Sequence, residues 1–429
     1  MTRSSANRRR FAPTLPAICA LTLLLGGAAS AADDKTALHD ISIRNFTNPS
    51  FNGGTLTVPS IEIAGTNVTE QEVRSVLSDA MTPQDRSAFY AKLKADRIDI
   101  PEIDIKTDRA SSSLKRLHAE KVSDGAVGSL SLAGLQITSQ LPGAAPGAVG
   151  TTLKSGPIAI ENVDIAGLLS PADTALLQTT PVRNQRVSAS DLEISVPDKT
   201  VSATAVGGNI LTLKIGSFKL DGSFSGRFPT VGAIDINGFA LVPPKTSALG
   251  QGLASYGLDD LSGDLHFKGG FDQASRTYLI DDSTINVRNA GVVRLESRIA
   301  DIDADKFLST PAARLEALSN AKLAHFSVRF TNAGLMEKLV DINARRSAKT
   351  ADAVRAQWSQ STSIVWPRMV GNDANAVQAV SAIEKFIAVP KSITLSADPK
   401  AAPVNLNEIA PLLRSHELAS RYTLTATQE

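Results

Sequence analysis

Apolar and polar residues alternate in short runs along most of the chain. Ile41-Ser42-Ile43, Ile61-Glu62-Ile63, Ile98-Asp99-Ile100, Leu192-Glu193-Ile194, Leu213-Lys214-Ile215, Ile234-Asp235-Ile236 and Leu265-His266-Phe267 share one form. The longest is Phe326-Ser327-Val328-Arg329-Phe330. A period of two places the apolar residues on one face and the polar ones on the other, as in half-buried antiparallel strands. Asn52-Gly53-Gly54, Asp221-Gly222 and Lys268-Gly269-Gly270 supply turns between such runs. The pattern predicts a mainly β (α+β) protein: an extended antiparallel sheet with inserted helices and a helical cover near the C-terminus.

Helix signals interrupt the alternation. Thr69-Glu70-Gln71-Glu72 has the form of a capping box and predicts a helix through about Asp79. Ser170-Pro171-Ala172-Asp173, Thr82-Pro83-Gln84-Asp85 and Thr310-Pro311-Ala312-Ala313 repeat a cap with proline at the first helical position. Strands follow such helices at Arg97–Ile100 and Phe326–Val328, so a strand–helix–strand unit recurs with irregular spacing. Between 333 and 388 the period becomes helical. Leu335, Met336, Leu339 and Ile342 form one stripe, Val354, Trp358, Val365 and Met369 a second, and Val377, Val380, Ile383 and Ile387 a third.

The chain divides on these patterns into residues 1–31, 32–206 with strand–helix–strand units, 207–332 as an antiparallel meander, and 333–429 as a helical insert with closing strands. The closing part holds a short helix near Asn407–Leu413 and a last strand around Tyr422–Thr425. Residues 142–150 are rich in Pro, Gly and Ala and predict a loop. The first 31 residues have the layout of a secretory signal: Arg8-Arg9-Arg10, an apolar stretch from Leu15 to Leu25, and Ala29-Ser30-Ala31 as the cleavage site. That apolar stretch is too short for a bilayer core of about 30 Å. The twin-arginine form of such a signal expects a hydrophobic residue after Phe11, where Ala12-Pro13 stands. Export to a Gram-negative periplasm, with a mature N-terminus at Ala32, is the expectation. No later stretch approaches 18 consecutive apolar residues, so no transmembrane segment is expected in the mature chain.

Composition narrows the chemistry. The 429 residues hold 44 Lys and Arg against 43 Asp and Glu, and 42% are hydrophobic. The hydrophobic content excludes a disordered chain, and the balanced charge speaks against nucleic acid as a partner. Cleavage would remove four arginines, no acids and the single cysteine, Cys19, leaving 40 basic and 43 acidic residues and no thiol. His39, His118, His266, His325 and His416 lie far apart in sequence, so no zinc-binding spacing is present. His266 and His325 fall on polar strand faces and read as solvated surface residues. Asp301, Asp303 and Asp305 are spaced as calcium ligands, but Lys306 and Ala312 stand where that loop needs Gly and Glu. A solvated strand edge leading to the Thr310 cap is the better reading. Neither a G-x-S-x-G elbow nor a phosphate-gripping Lys-Ser/Thr after a glycine-rich loop occurs. No catalytic, cofactor or metal residue is assigned.

Gly226-Arg227-Phe228-Pro229-Thr230, Ile236-Asn237-Gly238-Phe239-Ala240-Leu241-Val242-Pro243 and Leu253 through Leu261 resemble a group of uncharacterised exported proteobacterial β-rich proteins. The likeness continues at Asn289-Ala290-Gly291 and Asn332-Ala333-Gly334-Leu335 and carries no site residues. The long run of alternating strands is similar in style to AsmA-like envelope proteins, which implies a link to envelope lipids; the anchor common in those proteins is not expected here. The expected function is non-enzymatic: binding a lipid, an acyl chain or another apolar envelope component, or an envelope protein partner. Leu335, Met336, Leu339, Trp358, Val365, Trp366 and Met369 are the candidate cover over the ligand. A secreted hydrolase with a spatially assembled site, or a surface adhesin, is the alternative.

Overall fold

The computed structural model describes residues 37–51, 53–78, 83–123, 126–140, 150–164, 183–198, 209–225, 228–307, 311–370 and 374–429. The predicted signal, the loop at 142–149 and the helix expected after Ser170 lie outside these residues, as do Thr82, Thr310, Gly226 and Arg227. Over these described residues the chain is mainly β, with seventeen antiparallel strands and helices concentrated near the C-terminus. It gathers into two compact units. One holds the described residues up to Leu153, with Val163 and Asp164; the other holds Lys154–Asn162 and everything from Arg183 on. The sequence boundary at 332 falls inside the second unit and marks a change of element type there.

In the first unit, β1 (His39–Phe51), β2 (Gly54–Thr66), β3 (Ala95–Thr107) and β4 (Ala110–Ser123) pair in sequence order. β5 (Ala126–Leu132) and β6 (Gly134–Ser139) both pair with β4. Plain alternation is corrected here. Buried positions are 41, 43, 46, 48 and 51 in β1, and 112, 114, 117, 119 and 122 in β4. The steps are two, then three, so each strand inserts one extra residue every five and keeps its apolar side chains on one face. Asn45, Arg116 and Lys121 sit at these insertions with φ of 53°, 48° and 55°, as the extra residue of a bulge often does. The strands insert at the same level: Ile43↔Ile61 and Phe46↔Val58 keep one register across the kink. Pro59 and Pro101 lie at that level, where a missing N–H costs no regular ladder bond.

Two helices enter after β2, α1 (Glu70–Leu77) and α2 (Pro83–Lys92). Thr69 caps α1 in a complete capping box with Glu72, as the sequence predicts. Val73, Val76 and Leu77 of α1, Phe89 and Tyr90 of α2, and Leu93 just after it enclose a small apolar space against Ile61, Ile63 and Ile98. Asn48 donates from Nδ2 to the Leu77 carbonyl at 3.1 Å, tying β1 to the end of α1.

β7 (Thr151–Ser155) and β8 (Ile158–Asp164) come next. In the second unit β9 (Arg183–Pro197), β10 (Ile210–Ser225), β11 (Phe228–Val242), β12 (Leu261–Asp272), β13 (Thr277–Val287), β14 (Gly291–Ala300), β15 (Lys322–Asn332), β16 (Ser392–Pro399) and β17 (Tyr422–Gln428) pair one after another. The predicted meander is interrupted by α3 (Ala248–Ser255), which Ser247 caps, and again between β14 and β15. α4 (Ala304–Phe307) and α5 (Pro311–Asn320) follow β14 and close a cluster of Phe271, Ile302, Phe307, Ala317 and Ala321. α6 (Leu335–Ser347), α7 (Ala351–Val370) and α8 (Ala374–Ala388) form the predicted helical insert. α9 (Leu406–Arg414) and α10 (Leu418–Arg421) precede β17.

α8 packs on β16 and β17 with a face centred on its alanines, which keeps Ile387 of the predicted stripe inside but turns Val377 out. Ala376, Ala379, Ala382, Phe386 and Ile387 are buried, whereas Val377 is 60% exposed. Alanines let the helix axis approach the sheet closely, and Phe386 then reaches Phe330 edge-on, ring centroids 6.0 Å apart.

Candidate functional site: the apolar face of the second sheet

The stacked strands bring their apolar positions into rows that cross the sheet. One row runs Ala189–Phe218–Ile236–Leu265–Ile285–Val293–Phe330–Ile393. The next is Val187–Leu220–Ile234–Phe267–Ser283–Leu295–Val328–Leu395. Between Ile215 and Phe218 the spacing is three, and Asp191 and Gly238 take positive φ (51° and 65°) at the matching level. These kinks keep Leu192, Ile215 and Phe239 on the same face as the rows beyond them.

The two units treat such rows differently. In the first, Ile43, Ile61, Ile100 and Leu117 are at most 2% exposed. In the second, Phe218, Ile236, Leu265, Ile234 and Phe267 are only half-buried, and Ile285 is 41% exposed. Helices cluster around Phe271, Tyr278 and Ile299 at one end and over β16 and β17 at the other. Across β9 to β13 the apolar rows meet solvent. A third row sets Gly222, Gly232 and Gly269 side by side, so the floor dips there to bare backbone.

The opposite face is polar and cross-linked by charge. Lys214 meets Glu193 at 3.6 Å, Arg294 meets Asp282 at 3.4 Å and Glu296 at 3.3 Å, and Arg329 pairs with Glu429. An open cleft of about 390 Å³ over β8 to β11 is lined by Arg186, which binds Asp221 at 2.6 Å and Glu161 at 3.1 Å. Those two carboxylates raise the guanidinium pKa, that of Asp221 most. Such exposed pairs add little stability individually, but they hold the wet side of the sheet wet.

The histidines are not simply solvated. His118 Nδ1 lies 2.6 Å from Asp99, His266 Nδ1 2.6 Å from Asp235, and His325 Nδ1 2.7 Å from Asp398, each across neighbouring strands. Sequence neighbours conceal these partners, which lie 19, 31 and 73 residues away. His118 also reaches Glu120 at 3.1 Å, and its pKa is raised, chiefly by the Asp99 hydrogen bond. Ser129 contacts Glu120 and not the imidazole, so this cluster lacks the nucleophile–base contact that hydrolysis needs.

Asp301 and Asp303 do not form a strand edge. Both follow the end of β14; Asp301 pairs with Lys322 at 2.7 Å, which lowers its pKa, and Asp303 caps the turn of α4 through the Lys306 N–H. Among the described residues no group of three His, Cys, Asp or Glu side chains could hold a metal ion.

The candidate cover residues separate. Leu335, Met336, Leu339, Trp358 and Trp366 are half-buried, whereas Val365 is 49% exposed; the Met369 side chain is outside the described ones. Trp366 packs beside Ala376, Ala419, Tyr422 and Leu424, so it is part of the cover's own core. The open rows over β9 to β13 lie outside that set of residues. The signal that could have found them is the string of apolar triplets in 187–241 with few helix-forming segments nearby to cover them.

A family model described as "Uncharacterized protein" matches residues 284–429, from β13 to the end of β17. No curated protein matches the chain.

Proposed function

We propose that this is a non-enzymatic, exported protein of the cell envelope that binds an acyl chain of a lipid along the open apolar rows of β9 to β13. The observation that carries this reading is the contrast in closure: rows of the same construction are sealed in the first unit and half-exposed in the second. Monomeric soluble proteins rarely leave so extended an apolar face to water without a ligand or partner for it. Five strands span about 19 Å at ~4.8 Å between neighbours. One leaflet's acyl chains span about 15 Å, half of a bilayer core. The rows are therefore long enough for one chain laid across the strands, and their Leu, Ile, Val and Phe side chains suit a flexible aliphatic ligand. Among the described residues no helix is long and apolar enough to cross a membrane. Export rests on the signal layout of residues 1–31, and intact mass of the envelope-fraction protein should place its N-terminus at Ala32.

The test is titration of the purified protein with a fluorescent fatty acid. Ile285→Asp sets a carboxylate on the apolar row and should weaken binding at least tenfold. Thr284→Asp, on the opposite face, should not. Failure of the wild-type protein to bind, or equal binding by both variants with folding intact by circular dichroism, would remove the reading.

A further inference from the structure

From the outer face of the helical cover we infer a second surface, one that docks on an anionic bilayer. The corner between α6 and α7 exposes Arg345, Arg346 and Lys349 in five residues, with Ala348 turned left-handed (φ 52°) to make the bend. The bland reading is that these cations complement the C-terminal end of α6. That explains their place on α6 but not what continues from them. Lys349 donates to Gln357 Oε1 at 2.8 Å, which lays it along the solvent side of α7. Ala353, Gln357, Ser361 and Ile364 recur there at helical spacing, and all are exposed. Ile364 and Val365 are 47% and 49% exposed, two turns beyond Gln357.

No charged residue occurs between Ala356 and Pro367. The surface therefore runs from a basic corner, along an uncharged stripe of α7, to two large apolar side chains, Ile364 and Val365. That is the arrangement of an interfacial helix: apolar side chains enter the headgroup boundary and cations meet anionic lipid. Residues 333–391 carry eight Lys and Arg against five Asp and Glu, whereas the whole chain is nearly neutral. The charge is thus concentrated where an anionic surface would meet it. A bilayer fits this better than a protein groove, which would need a deeper apolar anchor than two adjacent aliphatic side chains. The inference stands apart from acyl-chain binding, since it uses different residues on different elements.

The experiment is flotation of the full-length protein with phosphatidylcholine vesicles, with and without phosphatidylglycerol, at low and high salt. The protein should float with the anionic vesicles alone, and less at high salt. A variant with Arg345→Ala, Arg346→Ala and Lys349→Ala should partition at least tenfold more weakly, from about fivefold per cation near an anionic surface. Ile364→Ser with Val365→Ser should also weaken binding, and more so at high salt, where the cations are screened. Equal binding to both vesicle types, no binding by the wild-type protein, or a triple variant that floats like wild type would each overturn the inference. Fatty-acid binding in the same variants separates the two sites: it should be unchanged in the triple variant, and Ile285→Asp should still float.

Discussion

His266 and Asp235 face each other across β12 and β11, Nδ1 to Oδ1 at 2.6 Å, and Asp99 and His118 repeat the arrangement across β3 and β4. In both pairs the two residues occupy opposite register positions on the polar face, so the hydrogen bond follows from the register alone. His118 differs in having a second carboxylate, Glu120, on its own strand.

His118 makes the first unit respond to pH in a defined direction. Its folded-state pKa is raised above the ordinary histidine value near 6.5, first by the Asp99 hydrogen bond. Its contribution to stability is therefore complete below that ordinary value and fades as pH rises through the folded value. Melting temperatures of wild type and His118→Gln should differ at pH 5.5 and converge by pH 8.5. A gap that widens with rising pH would contradict the assignment.

The Thr69–Glu72 capping box should be worth about 1 kcal/mol to the first unit, so Thr69→Ala lowers its denaturant midpoint. Burial disfavours the Glu72 carboxylate, but hydrogen bonds from Lys92 and Thr69 outweigh it and hold the pKa below the ordinary glutamate value. That contribution is present above the ordinary glutamate range and is lost as pH falls through the lowered folded value. Glu72→Gln should accordingly cost stability at pH 7 and little at pH 3.

Closure of the rows has a direct thermodynamic reading. Ile61, 1% exposed, should cost about 2–5 kcal/mol on replacement by alanine, because a buried cavity remains. Ile285, on the open row, should cost under about 1 kcal/mol. Urea unfolding of the two variants compares them. Similar losses would mean that the second sheet is covered in solution.

Calcium and EDTA should leave the melting temperature unchanged. Asp301 is engaged by Lys322 and Asp303 by the α4 turn, so the three alternating aspartates do not converge. A melting shift with added calcium would show that they can be drawn together.

The sequence by itself determined the mainly β class, the cap and length of α1, the helical insert between β15 and β16, and the closing strands, since each is written in local periodicity or capping chemistry. The kinks at the level of Pro59 and Pro101 escaped it, because simple alternation passes over them. What it could not decide depends on partners far along the chain. Which stripe of α8 turns inward was settled by how closely alanines let it approach β16 and β17, against the larger Val377. The aspartate that each histidine meets was settled by strand register. Over the second sheet, which part of an apolar row is covered was settled by where the helices fold back. Alternation specifies that a strand has an apolar face; only tertiary packing specifies what, if anything, covers it.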